Sequence, residues 1–174
     1  MTLLELVRSV LDAAQISHAL IGAAALAASG VSRSTFDLDL MAVDRRCLDD
    51  DMWKPLRRRG ASAEVRRGDA SDPLAGVVRF EMAGERPVDL VVGRHPWQQR
   101  AIERARRTPA GVPVVQPWDL VLLKLYAGGT QDLWDIEQLL ALPDAAELAR
   151  RVDLDLADLP ATAAARWRAF REGR

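Results

Sequence analysis

The clearest pattern along the chain is the alternation of hydrophobic and polar residues over positions 36–43. A period of two predicts a half-buried β-strand whose apolar face fixes its register. Asp37 and Asp39 then project from the same side of the strand, away from its apolar face. One face consists of Phe36, Leu38 and Leu40, and the other consists of Asp37, Asp39 and Met41.

The spacing of apolar residues predicts helices and strands along the rest of the chain. Helices are predicted over 3–14, 23–29, 48–60, 96–107, 119–126 and 133–142, with one or two more over 145–170 and a break near Pro160. Strands are predicted over 18–21, 63–66, 76–82 and 87–92, with an extended segment over 111–115. This series indicates an α+β (α/β) fold, a mixed sheet flanked by helices, with a meander crossed by one helix. We expect a core over 1–115 and a C-terminal helical extension over 116–174, packed together as one compact unit.

Composition narrows the class of protein. The 174 residues carry a net charge of −1, so no overall positive field draws the chain to nucleic acid or to an anionic membrane. Cys47 is the only cysteine, which excludes an internal disulfide or a cysteine-rich zinc site and favours the cytoplasm. The amphipathic first residues do not resemble a secretory signal, and the apolar run 19–28 is too short to span a membrane.

Arginine clusters at 57–59, 66–67 and 104–107 stand out in a sequence that contains little lysine. They are either solvated surfaces or parts of one strip that faces phosphates. A single strip would favour an RNA acceptor, because phosphate contacts supply most non-specific affinity for nucleic acid. Scattered clusters would favour a protein or a small molecule.

Three carboxylates are the candidates for chemistry. Asp37 and Asp39 are hard oxygen ligands at a spacing that lets both bind one divalent cation, although such a pair is often only a solvated face. Asp89 is the one charge in the apolar strand 87–92, where it must be paired, metal-bound or turned to solvent. Gly22-Ala23 leads a helix, where backbone N–H groups either bind phosphate or only allow tight packing.

This order of motifs resembles the DNA polymerase β-like nucleotidyltransferase superfamily. The run Gly30-x-x-Arg33-x-Thr35-x-Asp37-x-Asp39 is similar to one branch, the minimal nucleotidyltransferases and the AbiEii-type toxins of bacterial type IV toxin–antitoxin systems. Asp119-Leu120-Val121-Leu122-Leu123-Lys124 and the later Asp132-Leu133-Trp134-Asp135 match that branch as well. The resemblance covers residues 15–142.

The resemblance implies an enzyme that transfers a nucleoside monophosphate from an NTP to an acceptor hydroxyl. Asp37, Asp39 and Asp89 would be catalytic and would bind two Mg²⁺ ions, for which Mn²⁺ is an alternative. The implied acceptor is tRNA, a partner protein or a small molecule, and a cognate toxin or antitoxin is a further implied partner. The implied nucleotide-binding residues are Gly22, Ala23, Arg33, Thr35 and Lys124.

Four alternatives stay open. The superfamily's usual Gly-Ser or Gly-Gly is Gly22-Ala23 here, so a degenerate binding or antitoxin module is the second hypothesis. An aminoglycoside-modifying enzyme is the third hypothesis, and it would require an acidic pocket for the drug. Lys124 either reaches a phosphate or the carboxylates, or extends along its helix to the surface. Asp132 and Asp135 are either functional or simply favourable charges near a helix N-terminus.

Overall fold

A computed structural model of the chain describes residues 1–32 and 36–173, and shows one mixed β-sheet flanked by helices. The strands are β1 (His18–Leu20), β2 (Leu38–Ala42), β3 (Ser62–Arg67), β4 (Gly76–Glu81), β5 (Val88–Val92), β6 (Arg106–Arg107) and β7 (Pro113–Val114). Their order in the sheet is β3-β4-β5-β2-β1-β7-β6, with β2–β5 and β1–β7 parallel and the other pairs antiparallel. The predicted mixed sheet flanked by helices is confirmed. It is more than a meander, because β2 lies between β5 and β1.

The helices are α1 (Leu3–Ala13), α2 (Gly22–Ala28), α3 (Lys54–Arg57), α4 (Pro96–Glu103), α5 (Pro117–Ala127), α6 (Thr130–Leu140), α7 (Ala145–Asp155) and α8 (Ala161–Glu172). Thr2 and Glu5 form a capping box at the start of α1. Gly128, with a φ of 69°, ends α5 in the left-handed region. Within residues 1–32 and 36–173, every helix is too short or too polar to cross a membrane.

The two faces of the central strands differ in burial. Val78, Phe80 and Leu90 are fully buried on one face, where the ring of Trp53 meets Phe80 edge-on at 4.6 Å between centroids. The indole N–H of Trp53 donates to the carbonyl of Cys47 (2.8 Å), and burial raises the pKa of the Cys47 thiol to about 12. Because side chains alternate along a strand, the polar residues of these strands share the opposite, more open face.

The prediction of one helix over 48–60 is wrong. The segment forms two 3₁₀ turns, Arg45–Leu48 and Asp50–Trp53, followed by the single turn of α3. The side chain of Asp49 accepts from the backbone N–H of Asp51 (3.0 Å), so it caps a new turn where a long helix would have continued. Pro55 lacks an N–H group and fits only in the first turn of α3.

Two other predicted elements have different ends. The helix predicted over 96–107 stops at Glu103, and Arg106–Arg107 instead pair with Pro113–Val114 as β6 and β7. Gly111, with a φ of 74°, allows the chain to turn between them. The strand predicted from Phe36 begins at Leu38, and the Phe36 side chain is exposed instead of belonging to the apolar face.

Candidate active site

Asp37, Asp39 and Asp89 come together on the open face of the sheet. The parallel pairing of β2 and β5 places Asp39 directly beside Asp89. Asp37 precedes β2 and reaches the same place, because its Oδ2 and the Oδ2 of Asp89 both accept from Nη1 of Arg79, at 3.2 and 2.9 Å. The side chains of Asp37 and Asp89 are 35% and 21% exposed to solvent, so a ligand can reach both.

Arg79 is the main residue of this site that the sequence did not single out. It lies on β4 directly opposite Asp89, and its Nε donates to Glu81 (3.0 Å). The hydrogen bonds that Arg79 donates to Glu81 and Asp37, and the negative charge of Asp89, raise the pKa of Arg79 above its usual value. Burial raises the pKa of Asp89 and the nearby charge of Asp37 adds to that rise, while Arg79 opposes it.

Gly22 lies against Asp39. A methyl group at position 22 would lie 2.1 Å from Oδ2 of Asp39, and the φ of Gly22 is 58°, so both the close approach and the backbone require glycine. The backbone N–H of Ile21 also donates to the carbonyl of Asp39 (2.9 Å). The chain therefore places Gly22 and Ala23, at the start of α2, beside this carboxylate. Arg33 and Thr35, the other predicted nucleotide-binding residues of this region, lie outside the described residues.

The three carboxylates are the type of ligand that a divalent metal such as Mg²⁺ prefers, since it binds oxygen atoms. The described parts of the chain nevertheless contain no group of three or more His, Cys, Asp or Glu side chains arranged to hold a metal ion. The guanidinium of Arg79 supplies the positive charge between Asp37 and Asp89 instead. A cation that binds both carboxylates would compete with Nη1 of Arg79 for their oxygens.

Lys124 is buried and paired. Its Nζ lies 3.2 Å from Asp132 and 2.5 Å from Asp135, and only 6% of Lys124 is exposed. The alternative that Lys124 extends to the surface is therefore wrong. Lys124 and Asp132 line the same cavity as Gly22, so the buried pair lies at the edge of the open face of the sheet.

Asp119, the first residue of the predicted helix motif, is fully buried and binds Arg104 (2.5 Å). Arg104 also binds Asp155 (2.9 Å). Burial raises the pKa of Asp119 to about 6, although its bond to Arg104 acts in the opposite direction. This network ties α5 to α7 and to the end of α4, so we interpret Asp119 as structural.

The arginine clusters do not form one strip. Arg66 and Arg67 lie on β3 and Arg106 and Arg107 on β6, which are the opposite edges of a seven-stranded sheet. Six strand spacings separate these edges, or roughly 29 Å. The β3 cluster lies near the carboxylates, because Arg66, Arg67, Arg79 and Asp89 line one cleft of about 400 Å³.

Comparison with known structures identifies the fold. The chain is similar to ANT(2″)-Ia in its complex with adenylyl-2″-tobramycin, with 14% identity, a TM-score of 0.55 and 97% of each chain covered. A solution structure of that antibiotic-resistance factor matches with 16% identity and a TM-score of 0.47, over 97% of this chain and 89% of that one. Terminal uridylyl transferase 4 from Trypanosoma brucei with bound GTP matches with 15% identity and a TM-score of 0.41, over 84% of this chain and 48% of that one. No family model and no curated protein sequence matches. The first similarity shows a nucleotidyltransferase fold.

Proposed function

We propose that this protein is a Mg²⁺-dependent nucleotidyltransferase that moves a nucleoside monophosphate from an NTP to an acceptor hydroxyl. The observation that carries the proposal is the convergence of Asp37, Asp39 and Asp89 beside Gly22, on the open face of this fold. The acceptor oxygen forms a bond to the α-phosphorus while the bond from that phosphorus to pyrophosphate breaks. The hydroxyl proton passes to Asp89, the carboxylate that lies beside Asp39 on the open face of the sheet.

Asp37, Asp39 and Asp89 would hold one or two Mg²⁺ ions, and Mn²⁺ offers the same ligand preference. When bound, the metal would neutralise charge on the triphosphate and make the acceptor hydroxyl easier to deprotonate. The phosphates would lie over the backbone of Gly22 and Ala23. Lys124, together with Arg33 and Thr35, is proposed to bind the nucleotide.

We expect Arg79→Gln to bind Mg²⁺ about five- to tenfold more tightly than the parent protein, because Asp37 and Asp89 no longer bind the guanidinium of Arg79. Ion pairs that are partly exposed contribute about 1 kcal/mol, which corresponds to a change in affinity of about this size. Calorimetric titration with Mg²⁺ alone measures the change. Arg66→Gln is the matched control, since Arg66 pairs with Glu64 of its own strand, β3 (2.9 Å). Unchanged or weaker Mg²⁺ binding in Arg79→Gln would show that Arg79 does not compete with a metal.

The cleft beside Asp89 indicates the class of acceptor. Arg66, Arg67 and Arg79 favour an acceptor that carries negative charge, and the acidic pocket expected for a polycationic aminoglycoside does not lie here. The separated arginine clusters favour a small molecule or a partner protein over a long tRNA surface. A cognate protein of a toxin–antitoxin pair is the partner that the AbiEii-like motifs suggest.

A nucleotide-binding module without transfer activity is the second candidate. Two observations favour it: Ala23 has no hydroxyl group where the superfamily usually has Gly-Ser, and Arg79 is held between two of the three carboxylates. Such a module would bind nucleotide at the same face and would leave the NTP intact.

The test is incubation with each α-labelled NTP and Mg²⁺, in separate reactions with tRNA, tobramycin and phosphorylated sugars, and with the protein alone. We expect metal-dependent transfer of label to an anionic acceptor or to protein, and none to tobramycin. Transfer to tobramycin would contradict the inferred acceptor class. If the protein binds NTP but transfers no label in any reaction, the hypothesis of a nucleotide-binding module is correct and that of an enzyme is wrong.

A further inference from the structure

Arg79 belongs to two neighbouring parts of the open face. Its Nη1 binds Asp37 and Asp89, and Arg79 also lines the cleft that contains Arg66 and Arg67. Its Nη2 carries two more hydrogens and forms no hydrogen bond within the described part of the chain. The side chain is 32% exposed. Arg79 therefore keeps donors that a ligand from solvent can reach.

Arg66 supplies a second guanidinium to the cleft. β3 and β4 pair so that Arg79 lies opposite Glu64, and Arg66 follows Glu64 by two residues. Arg66 and Arg79 are therefore diagonal neighbours on one face, with Cβ atoms about 7 Å apart. The hydrogen bond to Glu64 raises the pKa of Arg66, the charge of Asp89 adds to that rise, and the charge of Arg79 opposes it. Because the two guanidinium groups repel each other, an anion between them would stabilise both.

The cleft and Gly22 lie on opposite sides of the carboxylates. β5, which carries Asp89, lies between β4 and β2 in the sheet. Gly22 follows β1, on the far side of β2, and approaches Asp39 from there. Two strand spacings, or about 10 Å, separate β2 from β4. If the phosphates of the NTP lie over Gly22, an anion in the cleft belongs to the acceptor.

A phosphate group is the anion that suits this cleft. The planar fork of arginine binds phosphate oxygens through two parallel N–H···O bonds, which are stronger than bonds between neutral groups. The Arg66 side chain is 72% exposed and can turn to such a ligand. A phosphate bound to Arg79 would compete with Asp37 and Asp89 for the same guanidinium.

We propose that a phosphate group of the acceptor binds in the cleft and draws Arg79 away from Asp37 and Asp89, so that the acceptor and Mg²⁺ each strengthen the binding of the other. The inference rests on the proposed nucleotidyl transfer. Both ligands favour the arrangement in which Arg79 has left the carboxylates, so each increases the affinity of the other by the same factor. The metal site is then completed only when the acceptor is present.

The experiment measures the Kd of Mg²⁺ by calorimetric titration, with and without inorganic phosphate, at matched ionic strength and matched free Mg²⁺. We expect phosphate to raise the Mg²⁺ affinity of the parent protein about three- to fivefold, and by no more than the removal of Arg79 does, because phosphate removes the same ion pairs. In Arg79→Gln we expect phosphate to change the Mg²⁺ affinity by less than about twofold.

Two further variants test the cleft itself. Arg66→Gln is expected to need at least about three times more phosphate for half of the effect, because it removes one of the guanidinium groups that bind the anion. Arg106→Gln is the matched control, since Arg106 lies on β6 at the opposite edge of the sheet. We expect this control to respond to phosphate as the parent protein does.

An NTP distinguishes the two sources of phosphate. At saturating Mg²⁺, addition of an NTP should leave inorganic phosphate bound in the cleft. Displacement of phosphate by the NTP would assign the cleft to the triphosphate and overturn the inference.

The other outcomes separate this inference from the proposed function. If Mg²⁺ binds the parent protein but phosphate does not raise its affinity, the inference is wrong and the proposed function stands. An equal increase in Arg79→Gln also overturns the inference, because the phosphate would then act without Arg79. If Mg²⁺ binds neither protein, with or without phosphate, both are wrong. Arg79→Met, which also removes the guanidinium, takes the place of Arg79→Gln if that variant does not fold.

Discussion

Replacing Asp89 with asparagine is expected to slow nucleotidyl transfer by about 10³-fold or more, because the amide neither accepts the hydroxyl proton nor binds a metal as a charged ligand. The measurement is the initial rate of label transfer at saturating NTP and Mg²⁺. We expect the free energy of unfolding to change by about 1 kcal/mol or less, since the Asp89–Arg79 ion pair remains accessible to solvent.

Glu81→Gln is the control for this variant. It removes another carboxylate from Arg79 on the same face, and Glu81 is not one of the three clustered aspartates. We expect its transfer rate to stay within about threefold of the parent rate. An Asp89→Asn protein that folds and keeps a tenth or more of the parent rate would exclude Asp89 from the reaction.

Replacing Lys124 with methionine is expected to lower the free energy of unfolding by about 3–5 kcal/mol, because Asp135 is fully buried and would lose its lysine. Urea denaturation at neutral pH gives this value. Asp132, the second carboxylate bound to Lys124, keeps 26% of its side-chain exposure. We therefore expect Asp132→Asn to cost about 1 kcal/mol or less.

The double variant Lys124→Met/Asp135→Leu separates two causes of instability in Lys124→Met. One is the loss of the attraction between Lys124 and Asp135, and the other is the cost of leaving the buried charge of Asp135 without Lys124. Replacement of a buried ion pair by apolar residues is often nearly neutral, so the double variant should recover most of the stability. If Lys124→Met alone costs less than about 1 kcal/mol, Lys124 is not essential to the packing of α5 on α6.

The common face of Asp37 and Asp39 was predictable from sequence because alternation along a strand is a local property. The position of Arg79 beside Asp89 was harder to predict. The turn at Gly84 joins β4 and β5 in a hairpin, and the register of this hairpin places Arg79 opposite Asp89. The signal for Arg79 was therefore present, but only after β4 and β5 were recognised as a hairpin with that register.

Gln98 could not be found from sequence in the same way. Pro96 marks the first turn of α4, and a glutamine two residues later is typical of a helix cap. That local signal does not show that Gln98 is buried at a cavity, because β2, β5 and α5 meet there only in the folded chain. Similarly, the sequence indicated that Lys124 was on a helix but not that α6 would cover it with Asp135.

Chemical modification of Cys47 can report local opening of the folded chain. Its thiol is fully buried beneath the 3₁₀ turns, and its raised pKa leaves very little thiolate at neutral pH. Thiol-alkylating reagents therefore modify Cys47 only when the structure around it opens. Because the sequence contains no other cysteine, the rate of modification counts such openings directly, without any added label.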